Sequence, residues 1–458
     1  MISAAILSEL PGPRGLPLLG NALQLDPARL HLDLEAWADR YGPCYRFRLG
    51  RQTFVALAAP DRILEVLRDR PDGFRRLRAI ETVNGELGVH GVFSAEGERW
   101  YRHRQLVMKG FDRTQLQAFF PRLAAIARRL VRRWEPAART GLSFDAHTDL
   151  TRYTVDVTTD FVFGCDLNTL EQGSDELQRH LELILPMINR RVNAPFPYWR
   201  YWKGGADRDL EQAVAALKEL CGDFLVANET AAGPPANLLQ GFVAARNEGG
   251  AFGAEDLVGN AITMLLAGED TSAHTLAWAI LYLAVEAAAQ RRAQAEADVV
   301  GPISEPRDLE RLTFLDAVLM ETMRLKSVAP VLFLEARRDR SIGTLRIPQG
   351  TGVIALLRHP CLLEGQFSGA RSFAPERWEQ PRDTRRYPIH HKPALMPFGA
   401  GPRFCPGRQL AWFEMKLALA ALVRSFRLEL APGAPPPAER FGFTMTPSHV
   451  QIRLGMRR

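Results

Sequence analysis

Cysteine is scarce in this chain of 458 residues: five in all, at Cys44, Cys165, Cys221, Cys361 and Cys405. They are far apart, odd in number and form no C-x-x-C pair. That excludes a disulfide framework and a structural zinc site, and fits a reducing compartment. Lysine is scarce too, with six among 58 basic residues. Against 52 acidic residues the formal net charge is +6. No basic run is interleaved with aromatics, so nucleic acid is not an expected partner. The mild positive balance fits an acidic protein partner, an acidic ligand or simply a solvated arginine-rich surface. Internal repeats and low-complexity linkers are absent. The opening "MISAAILSELPGPRGLPLLGN" is too short in its apolar part to span a bilayer. It has neither the basic n-region nor the small-residue cleavage site of a signal peptide. A soluble, cytoplasmic protein with no membrane anchor is expected.

What is present is ample apolar material for a large core, at 46% hydrophobic residues. Residues 43–58, "PCYRFRLGRQTFVALA", alternate around Leu49-Gly50 and predict a β-hairpin. From about Pro60 to Leu325 the periodicity is mostly helical. "LQAFFPRLAAIARRLVRRWEPAA" carries apolar residues at i, i+3, i+4 and i+7. Residues 253–290, "GAEDLVGNAITMLLAGEDTSAHTLAWAILYLAVEAAAQ", are apolar on several faces and predict one long helix through the middle of the molecule. After Pro330 short strands are predicted, then a proline-rich irregular stretch from about Phe373 to Pro397. A second apolar helix, "QLAWFEMKLALAALVRSF", and a terminal strand follow. The expected fold is mainly α with a minor β portion, as one domain over 1–458.

One loop stands out: "FGAGPRFCPG", Phe398 to Gly407. Its G-x-G is not a dinucleotide loop, because Phe404 replaces the third glycine and no buried strand precedes it. A tight turn with Cys405 as small apolar filler is the plain alternative. The residues also support chemistry. Cys405 lies directly before a helix predicted to open at Pro406-Gly407, whose free amides favour an anion and depress a thiol pKa. Gly399, Gly401 and Gly407 remove side chains where a flat ligand would approach the backbone. Phe398 is placed to cover the sulfur, and Arg403 supplies a fixed cation. A soft anionic sulfur, a flat apolar surface and a nearby cation suit haem iron.

The loop matches F-x-x-G-x-R-x-C-x-G at every fixed position (Phe398, Gly401, Arg403, Cys405, Gly407) and so resembles the cysteine signature of the cytochrome P450 family. Five further stretches resemble that family in its order. "PGPRGLPLLGN" resembles the proline-rich start of the catalytic domain. "WYRHR" resembles W-x-x-x-R, with the donor-only side chains of Trp100 and Arg104 at i and i+4; an exposed basic helix face is the plain alternative. "AGEDTS", Ala267 to Ser272, resembles the oxygen-activation motif, with Asp270 as the acid, Thr271 as the hydroxyl and Glu269 at the variable position. It is expected to interrupt the long helix, Gly268 weakening it by about 1 kcal/mol relative to Ala. "ETMR" and "PERW" resemble E-x-x-R and its partner arginine, implying a Glu321–Arg324–Arg377 network that braces the cysteine loop. One departure is visible: where many family members place a propionate-binding arginine, this chain has Leu334. Trp100, Arg104 and Arg403 are left for that task.

The resemblance implies the cytochrome P450 fold, with haem b held between the long central helix and the cysteine loop and Cys405 as axial iron ligand. It implies a haem-thiolate monooxygenase, hydroxylating or epoxidising a small lipophilic substrate. No flavin or nicotinamide domain is read in the chain. Electrons are therefore expected from a separate ferredoxin or flavodoxin with its NAD(P)H reductase, and a monomer is expected. A peroxide-driven peroxygenase or haem-thiolate isomerase is a second reading, which the Asp270–Thr271 pair disfavours. A haem-based sensor is a third, needing no such pair. "AIETVNGELGVHGVF" and "LPMINRRVNAPFPYWRYW" fall where the family places substrate-contacting segments. Their mixture of apolar residues and arginine suggests an apolar or amphipathic substrate.

Overall fold

Alternation at 44–57 folds into a hairpin, Cys44–Leu49 against Gln52–Leu57, turning at Gly50 with φ +57°. The hairpin is one edge of a five-stranded sheet in the computed structural model, which describes residues 7–173, 176–194, 196–229, 235–250, 252–380 and 384–457. Three parts of the stretches above lie outside the described residues: the apolar start 1–6, Pro195 in the 185–202 segment, and 381–383 in the proline-rich stretch. Across the sheet the strands run Cys44–Leu49, Gln52–Leu57, Gly352–Leu356, Val331–Ala336 and Phe74–Arg76. Gly352–Leu356 pairs parallel to the hairpin and antiparallel to Val331–Ala336. All five of its residues are buried, as expected of a strand covered on both faces.

The rest is mainly helical. Arg113–Thr140 forms despite Pro121 and Pro136, opened by Asp112, which accepts from the Gln115 amide at 2.8 Å. The central helix, Ala254–Val285, is buried along most of its length and packs against His147–Phe163, itself almost wholly buried. It ends earlier than the sequence predicts. At Glu286 the chain turns, and Ala287–Val300 leaves at 111°. Gln290 fixes the bend: its amide donates to the Leu283 and Leu428 carbonyls and accepts from the Leu428 amide. Three hydrogen bonds to one side chain outweigh the apolar continuity that made the two helices read as one. Among the described residues no single helix is long and apolar enough to cross a membrane.

Helix Thr313–Leu325 carries the most concentrated polar network of the interior. Glu321 and Arg324, both fully buried, pair bidentately at 2.8 Å. Arg377, on the short turn Pro375–Trp378, donates to the same carboxylate at 3.0 Å, and Trp378 Nε1 donates at 2.9 Å. The remaining guanidinium N–H groups bind backbone carbonyls of the irregular segment: Arg324 those of Cys361, Ala370 and Ser372, Arg377 those of Ser368 and Gly369. A segment with little secondary structure thus has its carbonyls satisfied by side chains. Removing one partner leaves the others charged and dry, at about 3–5 kcal/mol. Glu321→Gln is therefore expected to lower the unfolding free energy by about that amount in denaturant titration; a change within error of zero would show the network to be dispensable.

Candidate active site

The cysteine loop is built by its backbone. Gly399 N donates to Met396 O, Gly401–Arg403 makes one 3-10 turn, and Cys405 N returns to Phe398 O at 2.9 Å. Gly401 has φ +69°, and a Cβ there would sit 2.2 Å from the Leu67 carbonyl oxygen. Close packing on the helix Pro60–Arg68, not ligand approach, demands this glycine. Gly399 and Gly407 differ: a Cβ would meet nothing within 4 Å at the first, and only ordinary contacts with Phe111 and Cys405 Sγ at the second. Phe398 holds the loop through its carbonyl, while its ring meets Trp412 at 6.2 Å. The following helix starts at Arg408, with Gly407 as N-cap, slightly later than predicted. The amides of Gly407 and Arg408 point at the thiol, and Arg104 and Arg408 stabilise its anion. Burial outweighs them, so the Cys405 thiol lies above its ordinary pKa rather than below it as the sequence suggested. A bound cation is what would ionise this sulfur.

Across the interior, the central helix presents Asp270 and Thr271. It is not interrupted there: helical structure runs unbroken from Ala254 to Val285. Gly268 makes no opening either, since a Cβ would sit 2.6 Å from Thr158 Oγ1 of the packed helix. Instead one lateral face is accessible, with Ala267 exposed and Gly268, Asp270 and Thr271 half-buried between buried neighbours. Thr271 Oγ1 donates to Ala267 O at 3.0 Å, leaving its oxygen free to accept. Burial, then the Glu182 carboxylate, pushes Asp270 up to about 6.

The third component is a group of arginines. Trp100 and Arg104 lie on the helix Gly97–Gly110, tied to the central helix by His103, which contacts Asp256 at 3.2 Å and Asn260 at 2.9 Å. Arg403 lies over the Trp100 ring at 4.6 Å, donates to Ala95 O and pairs with Glu96 at 2.8 Å. Arg104 lies over the Phe404 ring at 4.5 Å. Arg70 and Arg76 join them. Burial and mutual repulsion push Arg70 down to about 9, Arg403 to about 10 and Arg76 well below the usual range, with Glu96 opposing. Buried N–H atoms of Arg70, Arg104 and Arg403 lack a hydrogen-bond partner. Confined cations with unused donors form a site for an anion.

The cytochrome P450 family model matches residues 10–454. The chain belongs to this family. It is 25% identical to Protein LUTEIN DEFICIENT 5, chloroplastic, of Arabidopsis thaliana, over 88% of this chain and 70% of that one. It is 25% identical to the self-sufficient cytochrome P450 monooxygenase CYP505E5 of Aspergillus niger and 27% to a bifunctional cytochrome P450/NADPH–P450 reductase of Fusarium oxysporum. Each match covers 98% of this chain but only 43% and 42% of those proteins. The chain thus spans about two-fifths of its fused relatives. The crystal structure of the cytochrome P450 CYP102L1 matches with a TM-score of 0.83, 26% identity, and coverage of 98% and 99%. These similarities place the chain among the cytochrome P450 monooxygenases.

The P450 family implies a haem-iron cofactor, and the residues fit one. A single thiol with two backbone amides aimed at it, unfilled glycine surface beside it and a dry arginine cluster match a metal ligand, a flat ring and acidic ring substituents. The arginine missing at Leu334 is explained by the sheet. Leu334 is fully buried among apolar residues, and Arg76 stands directly opposite it in the antiparallel pairing of Phe74–Arg76 with Val331–Ala336. Directly opposed residues share a sheet face. A cation thus reaches this face of the sheet from the neighbouring strand, through a pairing that no local motif reveals. Arg76 and Arg70 were both missed in sequence, where neither falls within a motif.

One acid was assigned no role in sequence, and a second was missed. Glu269 is buried, with neither carboxylate oxygen hydrogen-bonded; burial, then Asp270 and Glu182, raises its pKa well above the usual carboxylate range. Glu414, on the helix Arg408–Ser425, accepts from Ser272 Oγ and is pushed up to about 8, chiefly by burial. The folded state then holds a proton that the unfolded chain releases between about pH 4.5 and 8. Stability from this group is full below that window and falls by up to about 1.4 kcal/mol per pH unit through it. Glu414→Gln is expected to flatten that fall, compared by denaturant midpoints at about pH 5 and about pH 8.5; identical slopes in variant and wild type would contradict it. Arg76→Leu is expected to speed haem loss to apomyoglobin about tenfold, one decade of affinity, whereas an unchanged rate would remove Arg76 from the anion site.

Proposed function

We propose that this chain, acting as one haem domain over 1–458, is a haem b monooxygenase that inserts one oxygen atom of dioxygen into a lipophilic substrate. The observation carrying this reading is one half-buried thiol with aimed amides in the cysteine loop, together with an acid–hydroxyl pair on the accessible face of the central helix. Cys405 would hold the haem iron through its sulfur. The bound haem would supply dioxygen activation and oxygen transfer. Trp100, Arg104, Arg403 and Arg76 bind the acidic edge of the cofactor. Phe398 and Gly407 shape the loop on the sulfur side. Asp270, poised near neutrality, holds a proton at its carboxyl and releases it when needed. Thr271 Oγ1 donates to Ala267 O and keeps its lone pairs free to accept a hydrogen bond. Glu321, Arg324 and Arg377 act at a distance, by holding the backbone that leads into the loop.

Electrons come from an NAD(P)H-dependent donor. The fused relatives carry an NADPH–P450 reductase, which supports a flavoprotein donor; the positive net charge supports a small acidic ferredoxin or flavodoxin. The five free cysteines support a reducing, cytoplasmic setting. The exposed Ala267 beside Asp270 supports an apolar substrate lying against that face.

Product formation with NAD(P)H, a donor system and dioxygen is the direct test, read against hydrogen peroxide alone. Product formed only with peroxide would favour a peroxygenase and overturn the proposal. Cys405→Ser is expected to abolish the thiolate-type carbon monoxide spectrum of the reduced protein, and retention of that spectrum would refute the ligand assignment. Thr271→Ala is expected to divert most NAD(P)H consumption into peroxide release; tight coupling in that variant would remove the hydroxyl from proton delivery.

A further inference from the structure

Monooxygenation consumes two protons for each dioxygen: RH + O2 + 2 electrons + 2 H+ gives ROH + H2O. Asp270 can hold one proton, so it must be refilled from solvent during every cycle. Beside it stands a pair of histidines that the site has not yet used. His274 is one helical turn on from Asp270, its Nε2 3.8 Å from Asp270 Oδ1. Its side chain is 6% exposed. The ring stacks on His147, with centroids 5.2 Å apart and planes 18° apart. His147 is half-buried at the start of the helix His147–Phe163, and its backbone amide binds the exposed Asp145. Two hydroxyls flank the pair. Thr444 Oγ1 is 3.3 Å from His274 Nδ1, and Thr446 Oγ1 is 3.4 Å from His147 Nε2. Both threonines are half-buried.

We infer that His274 and His147 form the proton entry to Asp270, with Thr444 and Thr446 as hydroxyl bridges between them. A buried imidazole stacked on a half-buried one is expensive as packing; Leu or Phe would fill the same space without polar atoms to satisfy. As a relay, each nitrogen has a task. A proton reaches His147 from solvent beside Asp145, passes by way of the threonine hydroxyls and an intervening water, and arrives at His274 Nδ1. Nε2 then gives its proton to the Asp270 carboxylate, and the imidazole ends neutral as its other tautomer. A half-turn of the ring resets it. The 3.8 Å separation closes by a small side-chain rotation or one bridging water, as proton-transfer contacts often do only in the working complex.

The surroundings give the relay a direction. The acids facing the pair are Asp145 before the helix His147–Phe163, Glu182 on the helix Glu176–Val192 and Asp270 on the central helix; Glu269 acts on Asp270 rather than on the histidines. Burial, then the neighbouring His147, lowers His274 to about 3, whereas Asp270 is raised to about 6. A proton arriving at the imidazole therefore moves on to the carboxylate.

The inference rests on the monooxygenase reading, and the experiment separates the two. Wild type, His274→Gln, His147→Gln and Thr444→Val are compared with a donor system and dioxygen, and with hydrogen peroxide. Coupling of NAD(P)H to product and the solvent deuterium isotope effect are measured. Expected are a loss of about tenfold in coupled turnover for His274→Gln, less than the full effect of a general acid because Asp270 keeps one open side. Smaller losses in the other two, and a larger solvent isotope effect in all three, should accompany it. Peroxide-driven turnover, which needs no external proton, should fall less. Wild-type coupling and isotope effect in all three variants would overturn the relay, placing proton entry on the Glu182 side. Absence of donor-driven product from wild type would instead overturn the monooxygenase reading, and the relay with it. Should His274→Gln fail to fold, the two peripheral variants decide the matter on the same measurements.

Discussion

One buried carboxylate organises the sulfur side of this molecule. Glu321 receives two guanidinium groups, an indole N–H and the Ala374 amide. The guanidiniums in turn collect the carbonyls of 361–372. That segment has almost no regular structure to satisfy its own backbone. What it encloses is a small apolar cluster of Cys361, Phe367, Ala370 and Ala394, with Trp378 and Leu395 against it. Cys361 Sγ meets Ala394 O at 3.3 Å. From Ala394 the chain runs through Met396 into the loop whose carbonyl at Phe398 fixes the Cys405 amide. The segment gathered by this salt-bridge triad thus packs on the stretch that leads into the thiol loop. Breaking such a network leaves buried charge uncompensated, so the segment it gathers has little freedom to rearrange.

The distal side is fixed by different means. The central helix lies along His147–Phe163 with small and hydroxylated residues at the contact. Thr154 Oγ1 donates to Glu269 O at 2.7 Å, and Thr158 sits where any side chain at Gly268 would collide. Close backbone approach, not a helix break, is what the glycine provides. Burial then sets the electrostatics: it raises Asp270, Glu269 and Glu414 and lowers His274. Several titratable groups are thereby moved away from their solution behaviour within a few helical turns of one another.

The sequence was most informative where chemistry is carried by contiguous residues. The loop around Cys405, the Glu321–Arg324 spacing and the Asp270–Thr271 pair are legible because one turn of helix or one loop brings their atoms together. The hairpin and the mainly α character follow from periodicity alone. The unread parts depend on contacts across long separations. Arg76 is assigned only through strand pairing with Leu334, far away in the chain. The bend at Glu286 depends on Leu428, in a strand that local pattern cannot place. The Cys405 thiol was expected below its ordinary pKa because a helix start is visible in sequence, whereas the burial that outweighs it is not. His147 and His274 look like two unrelated histidines until the segment carrying Thr444 and Thr446 closes over them.

The contact of Gly268 with Thr158 partitions where this protein can change. The back of the central helix has no slack, so the helix cannot retreat to admit a bulkier molecule. Room for a bulkier molecule has to come from positions outside this contact, of which the exposed Ala267 is one. Variation in reactivity and variation in scope would thus accumulate in separate stretches of the gene, and libraries aimed at new substrates can leave the helix contact untouched.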